Sequence, residues 1–224
     1  MLFRSNLHTD VVVCRAELAP KVSASLAFVD TAPSELFACG LQLCRRGDFI
    51  NRRHVVINGI GPAGLVFIQW LKIFGAARIT AVDLIESRLQ TALDHGADDA
   101  VNGSDANAMR ALEAQKPETV IECSGSHAGF RTAFRTAAQE VLIMGYNDQP
   151  FEVNQSEWFH RGLTIKQTFI FDNPTWQETA RYVTRGLIQP GKTVTNVLPL
   201  SAASYREAMA LFRDPSVYKI VLAH

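Results

Sequence analysis

The sequence lacks the features that assign a chain to several specialised protein classes. Its 22 Lys and Arg residues balance its 22 Asp and Glu residues, so neither a nucleic-acid partner nor an anionic membrane surface is indicated. No uninterrupted apolar run reaches the ~18 residues that a membrane span requires. The first residues contain no continuous apolar segment of the kind found in signal peptides. We therefore expect a cytoplasmic protein without a nucleic-acid or membrane partner.

Cysteine is scarce, and its spacing matches no common metal or redox motif. Cys14, Cys39, Cys44 and Cys123 form neither a C-x-x-C pair nor a four-cysteine cluster, and no His is followed by Glu. Reduced thiols are the expectation for such scattered cysteines. Cys39 and Cys44 lie on one predicted helix among apolar residues, which favours core thiols over metal ligands.

From residue 54 onward, short apolar runs alternate with helical stretches. The predicted strands are 54–58, 78–83, 98–101, 118–123 and 140–145, and the predicted helices between them are 62–74, 87–95, 105–115 and 127–138. One helix between successive strands is typical of a parallel sheet with right-handed crossovers. The strands are apolar throughout, as expected where helices cover both faces. The sequence therefore predicts an α/β fold, a Rossmann-type doubly wound parallel sheet.

The two ends of the chain are less regular. After residue 145 we predict a strand over 163–171, a helix over 174–186, a strand at 196–200, a helix over 203–212 and a strand over 218–223. The first 35 residues hold one strand-like run, VVVC, and otherwise have the composition of loops. They contain too few apolar residues to form an independent core.

The sequence GIGPAG carries the G-x-G-x-x-G pattern of dinucleotide-binding turns. The pattern also occurs in flexible turns, but here it follows a predicted strand and begins a predicted helix. The first glycine allows a tight turn, the second lets a pyrophosphate approach the backbone, and the third lets the helix pack closely on the sheet. The helix start offers N–H groups to phosphates. The predicted cofactor contacts are Gly59, Ile60, Gly61, Pro62, Ala63 and Gly64.

Asp83 ends the second predicted strand, nineteen residues after Gly64. A carboxylate at this place accepts hydrogen bonds from the adenosine ribose and repels a 2′-phosphate, which favours NAD over NADP. The alternative is that Asp83 caps the next helix. Arg88 is either a solvated helix charge or a flank of the adenosine site.

With these features in place, most of the chain resembles the zinc-type medium-chain dehydrogenases, and in particular their polyol branch. The matching pieces include the helix and CRRG turn from Glu35 to Gly47, the GxGPxG turn, Asp83 with Arg88, GAD at 96–98 and VIECSG at 120–125. The resemblance continues through the strand at 163–171 to the final YKIVL. It implies a Rossmann domain over 36–189, with remnants of a GroES-like catalytic domain at 1–35 and 190–224.

The resemblance also implies site residues and partners. Two segments would lie beside the nicotinamide: Val120 to Gly125, with Cys123, Ser124 and Gly125 as the predicted cofactor contacts, and Met144 with Gly145. Lys219 matches a basic position that meets the pyrophosphate in some relatives. Glu35 falls where the polyol branch has an acidic residue near the catalytic zinc, although it is also a carboxylate at a helix start, favoured by the dipole. Members commonly form homo-oligomers through an edge strand, for which LTIKQTFIF is the candidate.

The resemblance implies an NAD-dependent alcohol or polyol dehydrogenase that transfers a hydride between nicotinamide and a secondary alcohol. The family's zinc ligands, its Gly-His-Glu pair and its four-cysteine loop have no counterpart here, so we expect a truncated, zinc-deficient relative whose catalytic residues are unknown. The alternative is a non-catalytic NAD(H)-binding or interaction protein derived from that family.

Overall fold

The computed structural model describes residues 15–48, 50–150, 152, 154–168 and 170–223. These residues form two compact units, one over 35–172 and one from the described parts of 1–34 and 173–224. The predicted strand-like run around VVVC lies outside the described residues. In the described part, no helix is long and apolar enough to cross a bilayer.

The elements are numbered here in chain order. The helices are α1 Phe28–Thr31, α2 Ser34–Cys44, α3 Pro62–Ile73, α4 Glu86–Asp94, α5 Ala106–Ala114, α6 His127–Thr136, α7 Ser156–Phe159, α8 Asn173–Thr184 and α9 Ala202–Leu211. The strands are β1 His54–Asn58, β2 Arg78–Asp83, β3 Asp99–Asn102, β4 Thr119–Glu122, β5 Glu140–Ile143, β6 Thr164–Gln167, β7 Val194–Pro199 and β8 Lys219–Ala223.

The first unit is built on a six-stranded sheet with the strand order β3-β2-β1-β4-β5-β6. Every neighbouring pair in it is parallel. This is the strand order of a Rossmann fold, and it confirms the predicted doubly wound α/β class. The order reverses between β1 and β4, which places a crevice beyond the carboxyl ends of those two strands.

Both faces of the sheet are covered, as the apolar strands predicted. One core cluster joins Val56 of β1 and Val120 of β4 to Phe130 and Phe134 of α6. The residues that alternate with Val56 on β1, Val55 and Ile57, are also fully buried. A strand directs alternate side chains to opposite faces, so apolar cover lies on each side.

Local signals set the limits of the central helices. Pro62 occupies the start of α3, and Gly75, with φ +74°, follows its last turn, in agreement with the predicted helix over 62–74. Asp105 caps α5 by accepting hydrogen bonds from the N–H groups of Asn107 and Ala108. Ser126 caps α6 by accepting one from Gly129 N at 2.9 Å.

The second unit contains a parallel pair formed by β7 and β8, with α9 between them in sequence. Helix α8 also belongs to this unit, although the sequence assigned it to the domain over 36–189. Its Trp176 donates a hydrogen bond from Nε1 to the carbonyl of Leu18 at 3.1 Å, a tie to the N-terminal segment that no local pattern reveals.

Three local predictions differ from the structure. The segment after residue 15, expected to be loop, contains α1 and a single 3-10 turn at Ala16–Leu18. The strand expected over 163–171 is limited to β6, Thr164–Gln167. Helix α7 had no predicted counterpart. Each of the unpredicted helices is a single turn, too short to show a hydrophobic period.

Candidate functional site

A cleft of about 560 Å³ lies at the carboxyl ends of the central strands. Its walls come from the ends of β1, β2 and β4, the loop after β3 and the first turns of α3, α4 and α6. The lining residues are Asn58, Gly59, Gly61, Pro62, Val82, Asp83, Leu84, Ile85, Arg88, Gly103, Cys123, Ser124, Ser126, Ala128, Gly129 and Thr132. This is the place where open parallel sheets bind ligands.

Two glycines of the turn are required by the chain itself. Gly59 has φ +101°, and a Cβ built on it would lie 2.7 Å from the backbone nitrogen of Ser124. A Cβ on Gly64 would collide with the carbonyl oxygen of Gly59. These two glycines therefore permit the tight turn and the close packing of α3, as the sequence predicted.

Gly61 is different, because none of the described residues requires it to be glycine. Its φ of −84° and ψ of −166° are open to any residue, and a Cβ built on it meets no atom within 4 Å. It lines the cleft at the start of α3, where N–H groups and the helix dipole favour an anion. The open space beside Gly61 leaves its backbone accessible from the cleft.

Asp83 lines the cleft at the end of β2 and also supports the glycine turn. Its Oδ2 accepts a hydrogen bond from Ile60 N at 2.7 Å, and its Oδ1 accepts one from Ile85 N at 3.0 Å. The N-cap of α4 is Ile85, so Asp83 is not the cap residue that the alternative required. Arg88 of α4 is half-buried and lines the same cleft.

The predicted cofactor residues divide into two groups. Gly59, Gly61, Pro62, Asp83, Arg88, Cys123 and Ser124 line the cleft. The others are not part of its lining, namely Ile60, Ala63, Gly64, Gly125, Met144 and Gly145. Of these, Ile60 is fully buried, and its backbone bond to Asp83 supports the turn. Lys219 begins β8 in the second unit.

Sequence reasoning missed several lining residues. Asn58 ends β1 and donates from Nδ2 to the carbonyl of Gly129 at 3.0 Å, which joins β1 to α6 beneath the cleft. Gly103 follows β3, and Thr132 lies on α6. Gly103 could have been predicted from the sequence, because it follows the third predicted strand and ligands bind beyond the carboxyl ends of such strands. Thr132 is brought to the cleft by helix packing, which leaves no local pattern.

Glu35, the predicted metal position, accepts a hydrogen bond from a cysteine thiol. Cys39 donates from Sγ to Glu35 Oε1 at 3.4 Å, one helical turn away. Burial, and then the nearby Glu35 carboxylate, raise the pKa of the Cys39 thiol to about 12. Within the described ranges, no three His, Cys, Asp or Glu residues are grouped to hold a metal.

The other two described cysteines are also protonated thiols. Cys44 is fully buried, as predicted, and desolvation raises the pKa of its thiol. Cys123 is half-buried beside the cleft, and its pKa is raised by desolvation and then by the charge of Glu122. Neither thiol has the lowered pKa of a reactive cysteine.

Comparison with known proteins places this geometry in a family. Human sorbitol dehydrogenase is 30% identical over 211 residues, which are 90% of this chain and 58% of that protein. L-idonate 5-dehydrogenase from Escherichia coli K-12 superposes with a TM-score of 0.83 at 20% identity, over 91% of this chain and 59% of that one. An alcohol dehydrogenase from Escherichia coli CFT073, complexed with NADH, gives 0.80 at 23% identity, over 91% and 62%.

The chain thus spans about six tenths of the length of the relatives it matches. A family model described as zinc-binding dehydrogenase matches residues 62–185, which are more than half of the chain. The matched range includes the cleft-lining residues from Pro62 to Thr132. The chain therefore belongs to the zinc-binding dehydrogenase family.

Proposed function

We propose that the cleft binds NAD and that this chain is the dinucleotide-binding part of an alcohol or polyol dehydrogenase. The observation that carries the proposal is Gly61, a glycine without a structural reason that stands at a helix start in an open cleft. A pyrophosphate in contact with the backbone at this position would explain why residue 61 is glycine, because a side chain would occupy the space of the phosphates. The NADH reported with the similar Escherichia coli alcohol dehydrogenase supports the same assignment.

Asp83 is the basis for proposing NAD rather than NADP. Its two carboxylate oxygens each accept one backbone hydrogen bond, and each keeps a lone pair for a ribose hydroxyl. A 2′-phosphate would bring a second negative group to this carboxylate, which costs binding free energy. Arg88 in the same wall would flank the adenosine end.

Bound NAD would supply hydride chemistry, accepting a hydride from the carbinol carbon of a polyol or related secondary alcohol. The residues of this chain would bind and orient the dinucleotide. Asp83 holds the adenosine half, the turn from Gly59 to Gly64 holds the phosphates, and Cys123 and Ser124 border the half that carries nicotinamide.

The described residues do not fit a catalytic zinc ion. Such a site takes three protein ligands and an open position, whereas the described residues contain no group of three His, Cys, Asp or Glu side chains that could hold a metal. We therefore propose a structural role for Glu35 at the start of α2, where it accepts a hydrogen bond from Cys39 Sγ.

We also propose a homo-oligomer joined through β6. This strand is the last in the order of the first unit's sheet, and its Ile165 is 41% exposed. An exposed strand edge readily pairs with another chain. Light scattering should give about twice the chain mass, and a clean monomer at high concentration would contradict this part of the proposal.

Calorimetric titration with NAD and NADP tests the cofactor assignment. NAD should bind at one site per chain, at least about tenfold more tightly than NADP. Absence of NAD binding at millimolar concentration would contradict the proposal. With NAD present, NADH formation from sorbitol, measured beside the metal content, would support the dehydrogenase. Binding without turnover would instead support a non-catalytic NAD-binding protein.

A further inference from the structure

Glu122 is a fully buried carboxylate at the carboxyl end of β4, directly before the part of the cleft wall formed by Cys123 and Ser124. Its Oε1 accepts hydrogen bonds from Ser124 N at 2.9 Å and from Ser124 Oγ at 2.5 Å. Both of its oxygens accept from Gly125 N at 3.2 Å. The side chain therefore holds the loop that follows its own strand.

Two glycines from other elements leave room for this carboxylate. A Cβ on Gly145, just after β5, would collide with Glu122 Oε2. A Cβ on Gly129 of α6 would collide with Ser124 Oγ and lie 2.7 Å from Glu122 Oε1. Gly145 is not part of the cleft lining, and a Cβ there would also collide with Gly125 N, so the buried carboxylate and the loop that it holds together explain why this position is glycine. Three elements are thus shaped around one side chain.

The loop that Glu122 holds forms one side of the cleft. Asp83 lies at the end of β2, and Cys123 and Ser124 lie at the end of β4, with β1 between them in the sheet. The Ser124 backbone lies close to Gly59, because a Cβ built on Gly59 would be 2.7 Å from Ser124 N. A shift of the loop would change the shape of the cleft on the side away from Asp83.

We propose that Glu122 is a positioning residue for the dinucleotide, holding the Cys123–Gly125 loop so that the nicotinamide-bearing half of the cofactor can bind. The inference rests on the proposed NAD site. Glu122 would then affect the affinity for the nicotinamide-bearing half of the cofactor and not for its adenosine half. ADP-ribose, which shares the adenosine and diphosphate groups but lacks nicotinamide, should therefore depend on Glu122 much less than NAD does.

The charge state of Glu122 provides a second readout. Burial raises the pKa of this carboxyl above its usual 4.5, against the opposing effect of its hydrogen bonds to Ser124 and Gly125. The groups that contact it from its own loop, from α6 and from the end of β5 are neutral serine and glycine groups. Cys123 is the neighbouring titratable group, and its raised pKa keeps it protonated. Falling pH therefore protonates Glu122 and weakens its hold on the two N–H groups.

The test is calorimetry with NAD and with ADP-ribose on the whole chain and three variants. Glu122→Leu removes the acceptor oxygens, and Glu122→Gln keeps one acceptor but removes the charge. Glu140→Gln is the matched control, because Glu140 is another fully buried carboxylate of the same sheet, at the opposite end of its strand. Melting temperatures are recorded for each protein.

We expect Glu122→Leu to weaken NAD at least about tenfold and ADP-ribose no more than about threefold. Glu140→Gln should lower the melting temperature and leave the ratio of the two affinities unchanged. Equal losses for both ligands in Glu122→Leu, or no loss for either, would overturn the proposal.

The pH profile decides the question if Glu122→Leu does not fold. In the wild type, the affinity for NAD relative to ADP-ribose should fall as the pH decreases from 7 toward the usual glutamate pKa of 4.5, whereas Glu122→Gln should give a flat ratio. A flat wild-type ratio, or the same slope in Glu122→Gln, would overturn the proposal. Failure of both ligands to bind the wild type would instead contradict the NAD site itself.

Discussion

At the scale of single residues, the three glycines of the turn are required for different reasons. The positive φ of Gly59 and the approach of Gly64 to the Gly59 carbonyl are demands of the fold. Gly61 satisfies no such demand. This difference separates what the turn needs in order to fold from what it needs in order to bind.

Alanine at two of these positions should therefore have opposite effects. Gly61→Ala should leave the melting temperature unchanged or slightly raised, because its backbone is unstrained, yet weaken NAD at least about tenfold. Gly64→Ala should destabilise the fold by about 1–3 kcal/mol, because its Cβ collides with backbone. Thermal unfolding and NAD titration of both variants would measure this. A Gly61→Ala protein that binds NAD normally would remove the main support for the site.

Asp83→Asn tests the proposed cofactor preference. The amide keeps the shape and an acceptor for Ile60 N but loses the charge and the acceptor for Ile85 N, so NAD should weaken by about 1.5–3 kcal/mol while NADP gains relative to NAD. Asp94→Asn, an exposed carboxylate at the end of the same helix α4, is the control and should change neither affinity. Competition binding of the two cofactors gives the ratio, and an unchanged ratio would argue against ribose recognition by Asp83.

Glu35 and Cys39 make a prediction about thiol chemistry. With a pKa of about 12, Cys39 should react with iodoacetamide at pH 8 far more slowly than an ordinary thiol. Glu35→Gln should accelerate the reaction, because the carboxylate raises the pKa through its charge and its hydrogen bond. Mass spectrometry of the modified peptide measures the rate. A fast reaction in the wild type would contradict a protonated, buried Cys39.

At the scale of elements, the sequence predicted the central helices and strands because each carries its own signal. Apolar runs predicted β1 to β5. Pro62 and Gly75 mark the two ends of α3, and the glycine turn predicted the connection between β1 and α3. Helix α7 and the turns near the N-terminus are single turns without such a signal. Helix α8 belongs to the second unit, where its Trp176 bonds to Leu18, a residue far away in the chain.

Lys166 of β6 makes an ion pair with a buried carboxylate, which the sequence does not reveal. Lys166 lies 3.1 Å from Glu140, which is fully buried at the start of β5, and also pairs with Asp48. Glu140 further accepts hydrogen bonds from Asp48 N at 3.1 and 3.2 Å. These contacts tie the edge strand to its neighbour and to the turn after α2.

Lys166→Met should destabilise the protein by about 3 kcal/mol, because the buried Glu140 carboxylate loses its cation. Arg135→Met, which breaks an exposed pair with Glu113, is the control and should cost less than about 1 kcal/mol. Denaturant unfolding of the two variants would measure the difference. Equal costs would mean that Glu140 is already satisfied by its backbone donors.

At the scale of the whole molecule, the sequence could predict half of the candidate site and not the other half. The turn and Asp83 lie close together along the chain and follow a recognised spacing. The sequence placed Glu122 in a segment beside the nicotinamide but could not predict its positioning role, because that role depends on its bonds to Ser124 and Gly125 and on the close approach of Gly129 and Gly145 from other elements. Residues such as Thr132 reach the cleft through packing alone.

Hydrogen exchange with and without NAD tests the central claim over the whole chain at once. The account predicts slower exchange on NAD addition at the turn and first helical turn of α3, residues 59–65, and around the Glu122 loop and the start of α6, residues 123–130. Strands β7 and β8 should exchange as before. Unchanged exchange over 59–65, or protection confined to residues 194–223, would contradict a dinucleotide site at the carboxyl edge of the sheet.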